Sequence, residues 1–123
     1  MTLDANIIIL YLNGDQEVIT AIKSWRETST PLFLSSVAES EILSFPQYTS
    51  KELAEVMLFL EQNFTPVPFD RTIARISAEI RRTTKIKFPD VAIAATAFYT
   101  NTAIVTRNQR DFKRIENLRI VVI

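Results

Sequence analysis

The chain has 123 residues, enough for one folded domain over residues 1–123, and 47% of them are apolar. Its basic and acidic side chains balance, but residues 1–70 carry 3 basic and 10 acidic groups, whereas residues 71–123 carry 11 and 4. The lack of His and Cys excludes disulfides, zinc–thiolate sites, imidazole bases and thiol nucleophiles, and a single glycine excludes glycine-rich phosphate loops. Carboxylates remain, and these suit Mg²⁺ and Mn²⁺.

The first half of the chain predicts two short strands and four helices. Asp15 precedes apolar residues at helical spacing, and Thr49 with Glu52 matches a capping box. The predicted elements are a strand ending at Asp4, a helix over residues 7–12, a helix over 15–28, a strand over 32–34, and helices over 37–45 and 50–63.

The second half predicts three helices and two strands. Asp70 is placed to cap a helix, and residues 91–99 are apolar nearly all round, which indicates a buried helix. The predicted elements are an extended piece over residues 65–68, a helix over 70–83, a basic loop over 85–88, a helix over 89–99, a strand over 103–105, a short helix over 108–114 and a strand over 118–123.

Strands alternate with helices, and each predicted strand is an apolar run without period-two alternation. This pattern predicts an α/β fold with a short-stranded, mostly parallel sheet covered by helices on both faces. Ligands of such sheets bind beyond the carboxyl ends of the strands. The residues at those ends are Asp4, Ser35-Ser36 and residues 106–108. No apolar run is long enough to span a membrane and no signal peptide is evident, so we expect a cytoplasmic protein.

The acidic residues near the predicted strand ends each have an ordinary structural explanation. Asp4 and Asp90 stand at helix starts, where an acid caps the helix or stabilises its dipole. Asp111 alone would be a surface acid, and helical periodicity does not choose between Glu39 and Glu41. Their joint placement is what suggests a site, because several carboxylates in one place require a cation.

Two short acidic motifs lie in the first half of the chain. Asp4 stands in the run Leu3-Asp4-Ala5-Asn6, and Glu41 follows Ser36 by five residues. These motifs resemble the first two motifs of PIN-domain nucleases, in which the first is usually Asp-Thr-Asn. The resemblance favours Glu41 over Glu39.

Two longer motifs lie in the second half. Residues 89–97 place Asp90 at the start of an alanine-rich helix, and residues 104–112 run from a strand through Asn108 to Asp111. The first of these segments closely resembles the third PIN-domain motif, and the second closely resembles the fourth. The four motifs occur in order over essentially the whole chain, whose length is similar to that of VapC-like toxins of type II toxin–antitoxin systems.

The resemblance implies a PIN-like three-layer α/β/α fold and a metal-dependent endoribonuclease that hydrolyses RNA phosphodiester bonds with Mg²⁺ or Mn²⁺. It also implies a small antitoxin partner, and the family includes homodimers. The alternative is a catalytically weakened PIN-like module that binds RNA or a protein. Ala5 in place of the usual Thr and Asn108 where many members carry a fourth acid support this alternative.

The motifs and the charge pattern together assign roles to individual residues, and the fourth site residue is left open between Asn108 and Asp111. The catalytic candidates are Asp4, Glu41, Asp90 and Asp111. The metal-binding candidates are Asp4, Glu41, Asp90 and Asn108. The polar residues expected to support them are Ser36, Asn6 and Thr106. The basic groups expected to hold RNA phosphates are Arg81, Arg82, Lys85, Lys87, Arg107 and Arg110.

A phosphorelay receiver-like domain is a third hypothesis, because receivers are also parallel α/β proteins with clustered acids. A receiver needs adjacent acids early in the chain and a Lys after a late strand. Asp4 has no acidic neighbour, and the late strand is followed by Thr106-Arg107. This hypothesis ranks last.

Overall fold

Five short parallel strands form the central sheet of the computed structural model, which describes residues 1–123. The strands are β1 (Thr2–Leu3), β2 (Phe33–Ser35), β3 (Thr65–Val67), β4 (Ile104–Val105) and β5 (Ile120–Val121). They are arranged in the order β3-β2-β1-β4-β5, and every neighbouring pair is parallel. The first strand therefore lies at the centre of the sheet.

Seven helices flank the sheet and complete the three-layer α/β/α architecture that the pattern of strands and helices predicts. They are α1 (Ala5–Leu12), α2 (Gln16–Glu27), α3 (Ser36–Leu43), α4 (Ser50–Asn63), α5 (Arg71–Thr83), α6 (Phe88–Thr100) and α7 (Gln109–Phe112). None of them is both long and apolar enough to cross a membrane.

The helix α6 is the centre of the hydrophobic core. Residues 91–97 are all buried, which explains why this segment is apolar on every face. The helix contacts β1, β2 and β4 as well as α3, α5 and α7. Its first turn therefore lies near the carboxyl end of the central strand and carries Asp90 there.

Local capping signals account for most helix starts. The Asp15 carboxylate accepts from the backbone N–H of Val18 at 3.1 Å, and the Asp70 carboxylate accepts from that of Ile73 at 3.0 Å. Thr49 and the glutamate three residues later form the complete capping box. These three predictions are confirmed.

Several predicted boundaries differ from the structure. The extended piece at residues 65–68 is the edge strand β3, paired with β2 in the register Phe33 to Thr65. The helix predicted over residues 108–114 and the strand predicted over residues 118–123 are shorter than expected, since only residues 109–112 and 120–121 belong to them. Such short strands are stabilised by packing against the helices, which periodicity does not measure.

The order of the strands also decides against the receiver-like hypothesis. Receiver-type sheets have the order 2-1-3-4-5, in which the third strand pairs with the first. Here β3 pairs with β2 at the edge of the sheet, and β1 pairs with β4. The receiver-like hypothesis is therefore wrong.

Candidate active site

Asp4 occupies the carboxyl end of the central strand and is the most buried acid of the molecule. Its backbone N–H donates to the carbonyl oxygen of Val105 at 3.0 Å, and the residue is only 4% exposed. It precedes α1, yet its side chain makes no capping hydrogen bond. Instead, Oδ2 accepts from the Thr106 hydroxyl at 2.8 Å. The usual capping explanation for an Asp at a helix start does not apply here.

Thr106 connects two of the predicted site segments. It is fully buried just beyond β4, and its Oγ1 also accepts from the backbone N–H of Asn108 at 3.0 Å. One hydroxyl thus donates to Asp4 and accepts from the loop that precedes α7. A hydroxyl in this position fixes the orientation of the carboxylate.

Glu41 and Asp90 bring two further carboxylates to this end of the sheet. Burial raises the pKa of Glu41, and the negative charges of Asp4 and Asp90 raise it further. Burial also raises the pKa of Asp90, as do the charges of Asp4 and Asp111, whereas the positive charge of Lys87 lowers it. The acids therefore come from the residue after β1, from α3 and from α6, and the charge of Asp4 acts on both of the others.

Burial is the main cause that raises the pKa of Asp4 as well. The Thr106 hydroxyl and the backbone N–H groups of Asn6 and Ala5 act in the opposite direction without cancelling it. The Asn6 side chain is exposed in the first turn of α1, so Asn6 influences Asp4 through its backbone.

The donor chemistry of this site fits a hard divalent cation. Asp4, Glu41 and Asp90 supply only carboxylate oxygens, and no imidazole or thiolate exists in the chain to favour zinc. In this structure, no group of three or more Asp, Glu, His or Cys side chains is arranged so that it could hold a metal ion. Burial is the largest cause of the raised pKa of each of these three acids, and Lys87, beside Asp90, is the only positive charge that lowers any of them.

Asp111 and Asn108, the two candidates for the fourth position, differ in their surroundings. Asp111 is half-buried on α7, its charge raises the pKa of Asp90, and its Oδ1 lies 4.0 Å from a guanidinium nitrogen of Arg114. Asn108 is exposed, and its backbone N–H is bound to Thr106. Asp111 is thus the one that contributes charge to the acidic site.

Ser36 does not contact a carboxylate. Its hydroxyl accepts from the backbone N–H of Phe69 at 3.0 Å, which holds the connection between β3 and α5 against the start of α3. The sequence correctly places Ser36 beyond a strand end, but the hydroxyl there joins two segments of backbone.

Arg107, one of the residues predicted to bind RNA, is held by interactions within the protein. Its guanidinium donates to both carboxylate oxygens of Asp15 at 2.7 and 3.0 Å and to Glu17 at 3.2 Å. Its Nε donates to the carbonyl oxygen of Ile123 at 2.8 Å. This Arg joins the loop after β4 to the start of α2 and to the last residue, and these interactions occupy four of its five N–H donors.

The other predicted RNA-binding residues fall into three groups. Arg81, Arg82 and Lys85 line one polar pocket of about 340 Å³ together with Arg114. Lys87 lies nearer the acids, since its charge lowers the pKa of Asp90. Arg110 is exposed on α7. Arg114 was not among the predicted RNA-binding residues; its position three residues after Asp111 on a helical turn is the signal that could have indicated it.

An apolar groove adjoins the acidic site and was not predicted. It encloses about 710 Å³ between α1, α3 and α4. Tyr11 and Phe59 stack in it with ring centroids 4.6 Å apart, and Phe45 is 51% exposed. Glu41 lines the same groove, so the groove and the acidic site share a side chain.

Residues 1–118 match the family model of the PIN domain. Because the match covers nearly the whole chain, the chain belongs to the PIN domain family. The resemblance of the four motifs is thereby confirmed, and so is the three-layer fold that it implies. A comparison with curated proteins gave no match.

Solved structures with a similar fold come from toxin–antitoxin complexes. VapBC2 from Rickettsia felis, bound to a DNA fragment from its promoter, has a TM-score of 0.86 at 21% identity, covering 99% of this chain and 97% of that one. A toxin–antitoxin complex from Klebsiella pneumoniae has a TM-score of 0.79 at 26% identity, with 98% and 94% covered. DNA-bound VapBC from Salmonella typhimurium has a TM-score of 0.82 at 22% identity, with 98% and 96% covered.

Proposed function

We propose that this chain is a Mg²⁺- or Mn²⁺-dependent endoribonuclease and the toxin of a toxin–antitoxin pair. The observation that carries the proposal is that Asp4, Glu41 and Asp90, from three separate segments of the fold, lie close enough together for the charge of buried Asp4 to raise the pKa of both Glu41 and Asp90. Repelling carboxylates cost stability unless a cation binds between them. The PIN-domain family match supports the same conclusion.

In this proposal Asp4, Asp90 and Glu41 hold the metal, and Asp111 supplies the fourth charge. A bound divalent ion lowers the pKa of its water and offsets charge on the attacked phosphate. The buried Thr106 hydroxyl keeps Asp4 oriented toward the shared site. Lys87, whose charge reaches Asp90, is placed to attract the phosphodiester of the substrate toward the acids.

Cleavage of single-stranded RNA by the purified chain tests this function. We expect cleavage with Mg²⁺ or Mn²⁺, none with EDTA, and none by the Asp90→Asn variant. Glu41→Gln and Glu39→Gln form a matched pair on α3, and only the first should lose activity. Equal cleavage under all of these conditions would show that the activity does not belong to this site.

The antitoxin partner is a further part of the proposal. The groove beside Glu41 is lined by aromatic side chains, of which Phe45 is exposed, and its acidic residues also include Glu52 and Glu55. It suits a partner segment that has an apolar face and a basic side chain. A basic side chain beside Glu41 would neutralise the site and block the substrate. The structural neighbours from Rickettsia felis and Salmonella typhimurium are VapBC complexes, which supports a partner here.

Co-expression with the product of a neighbouring small reading frame tests the partner. We expect a complex whose RNA cleavage is inhibited, and Phe45→Asp should weaken that inhibition without reducing the cleavage by the free chain. Leu58→Asp is the matched control, because Leu58 is 52% exposed but lies outside the groove. A complex that retains full nuclease activity would contradict the proposed role of the partner.

A catalytically weakened PIN-like module remains the second candidate. Ala5 lacks the hydroxyl usual in the first motif, Asn108 is neutral, and no group of three or more acids is arranged in this structure so that it could hold a metal ion. Calorimetric titration with Mn²⁺ separates the two candidates. Binding that is lost in Asp90→Asn favours the nuclease, whereas RNA binding without any Mn²⁺ binding favours the module.

A further inference from the structure

The polar pocket beside α7 is a second charged feature of this surface, separate from the acidic site. The α5 end and the loop after it contribute Arg81, Arg82 and Lys85, and Arg114 contributes from the opposite side. No apolar residue lines the pocket, which measures about 340 Å³. Four cationic side chains therefore converge on one concave and solvent-accessible space.

Internal interactions neutralise only part of this charge. Arg114 lies 4.0 Å from one Asp111 oxygen and donates weakly to the backbone carbonyl of Lys85 at 3.4 Å. Arg81 lies 5.9 Å from the centre of the Phe88 ring, a cation–π contact. The charged groups of Arg82 and Lys85 have no hydrogen-bond or ion-pair partner within the protein. Part of the positive charge in the pocket is therefore not neutralised within the protein.

A dipole effect at the end of α5 does not account for the whole cluster. Cations in a last helical turn stabilise the exposed carbonyl groups, which explains Arg81 and Arg82 in part. The Ile80 carbonyl, however, already accepts from the hydroxyls of Thr83 and Thr84. Arg114 belongs to a different segment and is brought in by the tertiary fold.

The pocket is connected to the acidic site through a short chain of charges. Arg114 pairs with Asp111, and the Asp111 charge in turn acts on Asp90. Arg114, which lines the pocket, lies 4.0 Å from Asp111, so a polyanion whose reacting phosphate lay at the carboxylates would pass close to the pocket. No aromatic or apolar residue lines the pocket, so it offers no aromatic ring for a base to stack on.

We infer that this pocket binds a backbone phosphate of the RNA strand outside the bond that is cut, without recognising its sequence. The inference rests on the proposed function for its substrate. Guanidinium groups suit this task because they donate to phosphate in a bidentate manner. For a single-stranded nucleic acid, the logarithm of the binding constant falls by about 0.7 per phosphate contact for each tenfold rise in salt concentration.

Binding of fluorescent single-stranded RNA by the full chain, measured by anisotropy at several salt concentrations, tests the inference. The Asp90→Asn background prevents cutting. The salt slope is the fall in the logarithm of the binding constant for each tenfold rise in salt concentration. We expect Arg82→Gln and Arg114→Gln each to lower this slope by about 0.7 and to weaken binding about 5-fold at 0.1 M salt. The effect should be equal for RNAs of different sequence. Arg26→Gln on α2 is the control with the same change of charge, and it should leave the slope unchanged.

The outcomes distinguish this inference from the proposed function. Slopes that fall in the two pocket variants support the pocket even if the wild-type chain cuts no RNA. Wild-type cleavage combined with slopes equal to that of Arg26→Gln overturns the pocket and leaves the nuclease intact. An oligo-aspartate peptide that binds the pocket while RNA does not would overturn the inference in favour of an acidic protein partner.

Discussion

Asp4 and Asp15 stand at equivalent positions in the chain but in opposite electrostatic surroundings. Each precedes a helix with nearly the same backbone, φ −64° and ψ 144° for Asp4 against φ −64° and ψ 115° for Asp15. The Arg107 guanidinium lowers the pKa of Asp15, and the capped N–H of Val18 adds to this effect. Burial raises the pKa of Asp4, which has no cationic partner.

This difference separates an acid used for structure from one that is available to a ligand. Asp15 caps a helix and forms an ion pair, so its charge is satisfied by the fold itself. Asp4 has no ion-pair partner, and although the backbone N–H groups of Asn6 and Ala5 act on its carboxylate, it shares its surroundings with the negative charges of Glu41 and Asp90. A carboxylate becomes a candidate metal ligand when the fold buries it without supplying a cation.

The largest expected effect is the loss of cleavage in Asp4→Asn. The amide can still accept from Thr106 but brings no negative charge, so cleavage should fall by more than about 100-fold, since even supporting partners of metal ligands cost about 10- to 100-fold. Asp15→Asn should lose far less activity while lowering the melting temperature. Cleavage rates and thermal melts of both variants check this difference between Asp4 and Asp15, and equal losses of activity would contradict it.

Thr106→Val should have the next largest effect. Valine keeps the shape but leaves Asp4 without its hydroxyl donor and the Asn108 N–H without its acceptor. We expect cleavage to fall about 10- to 100-fold. Thr106→Ser retains the hydroxyl and should recover most of the rate. If the valine and serine variants cut RNA equally well, the hydroxyl does not position Asp4.

Asp90→Asn should stabilise the metal-free protein while it abolishes activity. Removing one of the repelling charges should raise the melting temperature by about 1–3 °C at pH 7. The folded pKa of Asp90 lies above its unfolded value, so the wild type gains protons and relative stability as the pH falls through that folded pKa. The advantage of Asp90→Asn should therefore shrink on acidification.

Added Mg²⁺ should raise the melting temperature of the wild type more than that of the Asp90→Asn variant. Melting curves at pH 7 and pH 5, with and without Mg²⁺, measure both effects, and an advantage that grows at pH 5 would contradict them.

The smallest expected effect belongs to Arg107→Gln. Its ion pairs with Asp15 and Glu17 are at the surface, so the melting temperature should fall slightly and most at low salt. The salt slope of RNA binding should stay at the wild-type value, because this guanidinium is bound within the protein. A slope that falls as in Arg114→Gln would restore Arg107 to the RNA-binding surface.

Much of the fold could be predicted because its signals are local. Caps such as Asp15 and Asp70 lie within three residues of the N–H groups that they accept from, and the apolar run after Asp90 indicates a buried helix by itself. The ends of β5 and α7 were predicted less well. Elements this short depend on neighbours from distant parts of the chain.

The candidate site could be predicted only as a list of acids near strand ends. The partners of Arg107 lie about ninety positions away in the sequence, so the ion pair that occupies it was not visible. The same holds for Ser36, whose hydroxyl binds the backbone of Phe69. Long-range partners decide whether a polar group is free or bound, and a single sequence does not contain them.

The sequence by itself determined that any catalysis here depends on carboxylates, that short parallel strands alternate with helices, and that Asp4 and Asp90 lie at element boundaries. These properties follow from composition, periodicity and capping, which act over a few residues. Only the tertiary structure decided that the Asp4 carboxylate is buried without a cation while Asp15 is paired, and that Arg114 joins Arg82 in one pocket. The reason is that electrostatic surroundings are set by distances through space, and the fold sets those distances.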